Sequence, residues 1–272
     1  MQRAAGGEIN CADGGDYGLV SISKSITIDC DNTKAGIRVT SSSNAITIAG
    51  AASDVVTLKG LDLVGSGSVA DGINLVTVGT VHVHKVTIKG FSVGIDIQTN
   101  VYSELYVADS LITNSGDFGI LVAQGASASS NTVISRVRLE NNSTGIRLNA
   151  NSSTGAVFNA LVVDSVVSGS GSQGIEALTG AGKAAITLFV DRNLISGNFG
   201  SGIKADGAAA SGAGSATIRL NDSSIMNNVT GVSTAGAGPG VVQSYKNNRI
   251  NANFTDGTPL TAVPGPGGTP LQ

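Results

Sequence analysis

Glu176 and Asp206 are the two residues whose types and spacing best suit chemistry on a sugar. Each follows a Gly-Ile dipeptide, at Gly174-Ile175 and Gly202-Ile203. If the two segments are adjacent parallel strands, Asp206 lies one rung from Glu176 and two residues along, a separation of about 8 Å. That falls within the ~6.5–9.5 Å of a carboxylate pair that activates water in an inverting glycosidase. The flanking rungs, however, carry Arg147 and Lys204. Cations on both sides hold Glu176 ionised, whereas a general acid needs a raised pKa. Ion pairing is therefore the preferred reading, with Glu176 and Asp206 the catalytic candidates if the chain is an enzyme.

His82 and His84 are the only histidines and stand two apart. On a strand both rings leave the same face, where they could share a metal, but a site needs a third or fourth ligand. Solvated histidines are preferred, and neither a metal nor a cofactor is expected. Cys11 and Cys30 each follow an isoleucine by two residues, at Ile9 and Ile28. Stacked rungs would put their Cα atoms about 4.8 Å apart, within disulfide range, while directly stacked Cβ vectors suit that bond poorly. A disulfide and two buried thiols both remain open.

These residues depend on elements that must hold them, and the elements repeat. Gly-Ile, once Gly-Val, recurs at Gly36, Gly72, Gly94, Gly119, Gly145, Gly174, Gly202 and Gly231, with steps of 22 to 29 residues from Gly72 onward. Upstream, one aliphatic per repeat aligns at Leu63, Ile88, Ile112, Leu139, Val167, Ile195, Ile225 and Ile250. Two residues later stand Gly65, Gly90, Asn114, Asn141, Gly169, Gly197, Asn227 or Ala252. Gly and Asn tolerate positive φ, so all but Ala252 suit a tight turn. Pairs such as Val81 and Val83, or Leu105 and Val107, alternate with period two and face inward. Each coil then holds three short strands, and successive coils pair in parallel. The pattern predicts an all-β, right-handed parallel β-helix of about nine coils over residues 1–255. Residues 256–272, with four of the five prolines, read as a cap or tail. The segment from 36 to 72 is too long for one coil and holds an extra strand, Ile46-Thr47-Ile48, or an extended loop.

Three columns follow from the alignment. Lys85, Asp109, Arg136, Asp164, Arg192 and Asp222 alternate in sign three residues before the aligned aliphatic, an ion-pair ladder that fixes register. Arg38, Asn74, Asp96, Leu121, Arg147, Glu176, Lys204 and Ser233 form an outward column on the Gly-Ile strand. Tyr106, Val133, Leu161 and Phe189 form an apolar outward column, with Leu111, Val166 and Leu194 nearby. Exposed apolar surface of that kind marks self-association or coverage by residues 256–272.

The Gly-Ile and Asn/Gly turn pattern, with Gly-Gly-Glu-Ile-Asn-Cys at 6–11 and Ser-Ile-Thr-Ile-Asp-Cys at 25–30, resembles the bacterial right-handed β-helix repeat proteins of the pectin-lyase-like superfamily. The resemblance implies an acidic polysaccharide, held weakly through Arg147 and Lys204, and a groove along the Gly-Ile strand, which makes Asn74, Asp96, Arg147, Glu176 and Lys204 the expected binding residues. It transfers no activity. The Asn-Thr-Asp, Asp-Asp, Gly-His-Gly and Arg-Ile-Lys signatures of polygalacturonases are missing, as is the Trp-containing motif of pectate lyases. With a net charge of -3, no nucleic-acid or acidic-membrane partner is expected. No apolar run reaches the ~18–20 residues that span a bilayer. Low charge and abundant Gly, Ser, Thr and Asn suggest an extracellular or periplasmic protein, although Met1–Gly7 lacks a signal peptide's apolar stretch. The expectation is a structural or interaction module that binds polysaccharide. The alternative is a lyase or glycoside hydrolase acting on an acidic polysaccharide.

Overall fold

The structure, a computed structural model, describes residues 6–33, 35–67, 70–125, 127–154, 157–209, 211–238 and 240–264. It is a right-handed parallel β-helix. The strands fall into three parallel sheets of 11, 10 and 10 members, and each sheet takes every third strand of the chain. The first sheet runs from Gly7–Asn10 through Thr80–His84 and Ala185–Asp191 to Thr261–Ala262. The second carries the aligned aliphatics and the third the Gly-Ile strands from Ile73–Thr77 to Thr230–Ala235.

Period two explains the core. Val81, Val83, Leu105 and Val107 from the first sheet, Ile88, Ile112 and Leu139 from the second, and Ile95, Ile120 and Ile146 from the third are all buried. Each such side chain stabilises the fold by about 1.5–3 kcal/mol, and the flat stack has little need of large aromatics. The glycine of each Gly-Ile is required by close approach between coils. A β-carbon at Gly94, Gly119, Gly145 or Gly174 would lie 2.5–2.6 Å from the carbonyl oxygen of the next coil's equivalent glycine.

Two of the three corners of each coil are sharp. Between the second and third sheets, Gly90, Asn114, Asn141, Gly169, Gly197, Asn227 and Ala252 take positive φ. Ala252 thus adopts the left-handed turn although its side chain does not favour it, and near Gly65 the positive φ sits at Gly67 instead. Between the first and second sheets the left-handed residue is the charged one. Lys85, Asp109, Arg136, Asp164, Arg192 and Asp222 all have φ between 41° and 53°. Buried amides complete the corners. Asn198 Nδ2 donates to Asn228 Oδ1 at 2.8 Å, and Asn228 Nδ2 donates to Asn253 Oδ1 at 3.0 Å and to the Ile195 carbonyl at 3.1 Å.

Three expectations are corrected by the register. Gly36-Ile37 lies in the second sheet, where Ile37 pairs with Leu63 and Arg38 with Val64. Ile46–Ala49 is the third-sheet strand of that coil, with Thr47 beside Asn74. Arg38 therefore leaves the Gly-Ile column and Thr47 takes its place. The charge ladder is bonded in pairs, which the longer-range attraction between Arg136 and Asp164 joins. Arg136 grips both oxygens of Asp109 at 2.6 and 2.8 Å, and Arg192 those of Asp164 at 2.8 and 3.0 Å. Lys85 reaches past Gly60 to Asp31 Oδ2 at 2.8 Å, and Asp222 receives only the longer-range attraction of Arg192. The Arg136 bond, against burial and with help from His84, draws the Asp109 carboxyl down to about 2.

The Tyr106, Val133, Leu161 and Phe189 column is partly exposed. It continues through Arg219 and Gln243 to Thr261, so the described part of the tail extends the column by a rung and does not fold over it. Residues 265–272 lie outside the described residues. Cys11 and Cys30 form a disulfide with Cα atoms 4.9 Å apart.

Replacing Arg136 by Asp puts three carboxylates on adjacent rungs, but the site is half exposed and Asp tolerates positive φ better than Arg. We expect a loss of about 1 kcal/mol in the denaturant midpoint, recovered in part by Asp109→Arg.

Candidate functional site

The outer face of the third sheet collects most of the polar groups singled out above. Its register places Asn74, Asp96, Leu121, Arg147, Glu176, Lys204 and Ser233 in one column. Because the strands alternate, Ile95, Ile146, Ile175 and Ile203 fill the core while these side chains leave the other face.

Two clusters occupy that face. In the first, Asp96 is 3% exposed, accepts a bond from Gln98 Nε2 at 2.6 Å through Oδ2, and leaves Oδ1 without a partner among the described residues. Burial, opposed by the Gln98 bond and aided by the charge of Asp71, pushes its carboxyl up to about 6. Asp71 is itself raised by burial and by Asp117, against a 2.7 Å bond from Asn74 Nδ2. Asp117 accepts from Ser92 Oγ at 2.6 Å.

In the second cluster, Glu176 is buried with both oxygens engaged. Arg147 donates to Oε2 from Nε at 2.6 Å and Nη2 at 2.5 Å, and its guanidinium carbon stands 4.6 Å from the centroid of the Phe118 ring. Lys204 Nζ donates to Glu176 Oε1 at 3.0 Å and contacts Asp206 Oδ2 at 3.1 Å. Burial works against the ammonium, yet its bonds to Glu176 and Asp206 keep the Lys204 pKa raised.

One ammonium touches both carboxylates, so the place that an inverting pair keeps for its water is filled here by Lys204. The cluster is a closed network in which each cation is already neutralised. Removing the carboxylate charge with Glu176→Gln leaves two partly hydrated cations facing one another. The expected cost is about 2 kcal/mol in the denaturant midpoint, with Arg147 retained on Phe118.

The histidines do not converge. His82 stacks on Tyr106 with ring centroids 4.9 Å apart, while His84 Nε2 lies 2.9 Å from Asp109 Oδ2, inside the ion-pair ladder. Among the described residues no group of three or more His, Cys, Asp or Glu is arranged to hold a metal ion.

Asp71, Gln98, Asp117 and Phe118 were not expected from sequence. Asp71 stands one residue and Asp117 two residues before a Gly-Ile glycine, and Gln98 follows Asp96 by two, so each was visible as a neighbour of the column. Their signal was offset from the column that alignment on the glycine selects.

No protein-family model matches the sequence, and no curated protein sequence matches it. Among solved structures, the A-module of the Azotobacter vinelandii mannuronan C-5 epimerase AlgE4 superposes with a TM-score of 0.56 at 14% identity, over 91% of this chain and 81% of that one. The periplasmic alginate epimerase AlgG gives a TM-score of 0.45 at 14% identity, over 84% of this chain and 65% of that one. At this identity the AlgE4 likeness is one of fold.

Proposed function

We propose that this β-helix is a non-catalytic polysaccharide-binding module whose ligand, a neutral glycan, lies along the outer face of the third sheet. The observation that carries this reading is the excess of acceptors on that face. Asp71, Asp96, Asp117, Glu176 and Asp206 stand against Arg147 and Lys204, and both cations are engaged by Glu176. Sugar hydroxyls are the donors such a face lacks, and the half-buried Asp71 and Asp206 and the exposed Asp117 are the acceptors within their reach. An anionic polymer would meet repulsion instead, so the expected use of Arg147 and Lys204 to hold an acidic sugar is not part of this reading. The AlgE4 module is an epimerase of a polysaccharide, which makes a glycan a reasonable ligand for the fold, and the Cys11–Cys30 disulfide favours an oxidising, extracytoplasmic setting.

Affinity electrophoresis through gels containing neutral 1,4-glucans or polygalacturonate tests it. Retardation by the neutral polymer, weakened at least tenfold by Asp71→Asn, is expected. Retardation by the polyuronate alone would sink the reading.

One observation favours an enzyme. A carboxyl raised to about 6 can donate a proton near neutral pH, and Asp96 is such a group. On this second reading the chain is a lyase or glycosidase of an acidic polysaccharide, with Asp96 as its acid. Turnover on pectate or alginate that is lost in Asp96→Asn and kept in Glu176→Gln would establish it.

A further inference from the structure

We infer that the corner between the second and third sheets, near the C-terminal end, carries an aromatic subsite for a neutral 1,4-linked glycan running parallel to the solenoid axis. Phe199, Val229 and Phe254 each stand four residues after an aligned aliphatic, at Ile195, Ile225 and Ile250. They therefore occupy one position in three successive coils. Phe254 is 88% exposed, Phe199 74% and Val229 46%. Earlier coils place Ser92, Gly116, Ser143 and Gly171 there, so the coil itself does not ask for an aromatic ring.

The rings are set on a rigid corner. The Val229 amide donates to the Asn198 carbonyl at 3.1 Å and the Phe254 amide to the Asn228 carbonyl at 2.9 Å. Beneath them run the buried bond from Asn198 to Asn228 and the half-buried bond from Asn228 to Asn253. With the backbone satisfied from coil to coil, ligand contact falls to the rings and to the exposed Asn227. Little ordering cost remains to be met on binding.

Three features select the ligand class. Phe199 and Phe254 are two rungs apart, about 9.6 Å along the axis, close to the axial length of two residues in an extended 1,4-linked chain. Pyranose rings two apart in such a chain could each lay their C–H face on a phenyl ring, whose face is negatively polarised. The shallow cleft between the rings, about 380 Å³, is lined by uncharged residues only, which suits a neutral sugar. Three side chains also make a patch far smaller than the ~1,000 Å² of a stable protein interface. The corner leads within two residues into Ser201–Asp206 of the third sheet, so it borders the Glu176 and Lys204 cluster.

This inference deepens the polysaccharide reading and rests on it for the ligand class. The test is a titration of the full chain with cellohexaose, followed by amide chemical shifts. Shifts at Gly197, Asn227, Val229 and Ala252 are expected beside those at Asn74 and Gln98 of the third sheet, with a loss of affinity of tenfold or more in the Phe199→Ala/Phe254→Ala double variant and about threefold in either single variant. Both positions are solvent-exposed, so these variants should keep the wild-type spectrum elsewhere. Shifts confined to Asn74, Asp96 and Gln98, unaltered by the double variant, would overturn the subsite and leave the third-sheet reading standing. Shifts at the corner alone would do the reverse. A mass that doubles with concentration by light scattering and reverts in the double variant would assign the rings to a second copy and overturn the inference. Corner shifts seen on deleting residues 265–272, without any response to cellohexaose, would overturn it as well.

Discussion

Gly145→Ala should destabilise the protein by about 3 kcal/mol, near the upper end of overpacking effects. The substitution looks mild, because alanine normally favours regular structure more than glycine does. Here the added carbon would lie 2.5 Å from the Gly174 carbonyl oxygen and 2.5 Å from Val167 Cγ1. Ordinary contact needs about an ångström more, and neither neighbour is free to yield. The Gly174 oxygen accepts the Ile146 amide at 2.9 Å, and Val167 is fully buried in the second sheet. Relief therefore requires that two coils separate, which breaks the ladder that makes the solenoid cooperative. Gly171→Ala is the control. Its new carbon would find its nearest atoms, both of Ser143, at 3.8 Å, so its stability should stay within about 0.5 kcal/mol of wild type. Equilibrium denaturation of the two variants decides the point, and equal midpoints would show that the spacing between coils is softer than drawn here.

That glycine also shows what could be read before the structure. Gly-Ile was legible as a coil marker because close approach leaves no other residue at Gly94, Gly119, Gly145 and Gly174. Its cause was not legible, since a turn and a close approach both select glycine. The same ambiguity misplaced Gly36, which mimics the motif in the second sheet, while the true third-sheet strand enters through Ala45-Ile46 without a glycine. The ladder residues were found from alternating sign. Their left-handed backbone escaped notice because Lys and Arg seldom adopt it, and the link from Lys85 to Asp31 depends on Gly60 offering no side chain in between. At the candidate site, register alone brought Arg147, Glu176 and Lys204 together. Burial of Asp96 and Glu176 was beyond reach, because an outward position on an isolated strand reads as solvated. Whether it stays so depends on the side chains one rung above and below, only ~4.8 Å away.

Asp96→Asn should make the protein more stable at neutral pH and leave it nearly unchanged at pH 4. The folded-state pKa of Asp96, about 6, lies above its ordinary value of 3.8. Between those values the native state holds more protons than the unfolded one, so stability falls as pH rises from about 4 to about 6 and stays lower beyond. Two pKa units correspond to roughly 3 kcal/mol of this penalty at neutral pH. Asparagine keeps an oxygen for the Gln98 amide, carries no charge to desolvate, and removes the repulsion from Asp71. The expected gain is about 2–3 kcal/mol at pH 7.5, because the new amide still lacks a partner at the second position. Denaturant midpoints of both proteins at pH 4 and 7.5 measure this directly. A difference that is the same at both pH values would place the Asp96 carboxylate in contact with water.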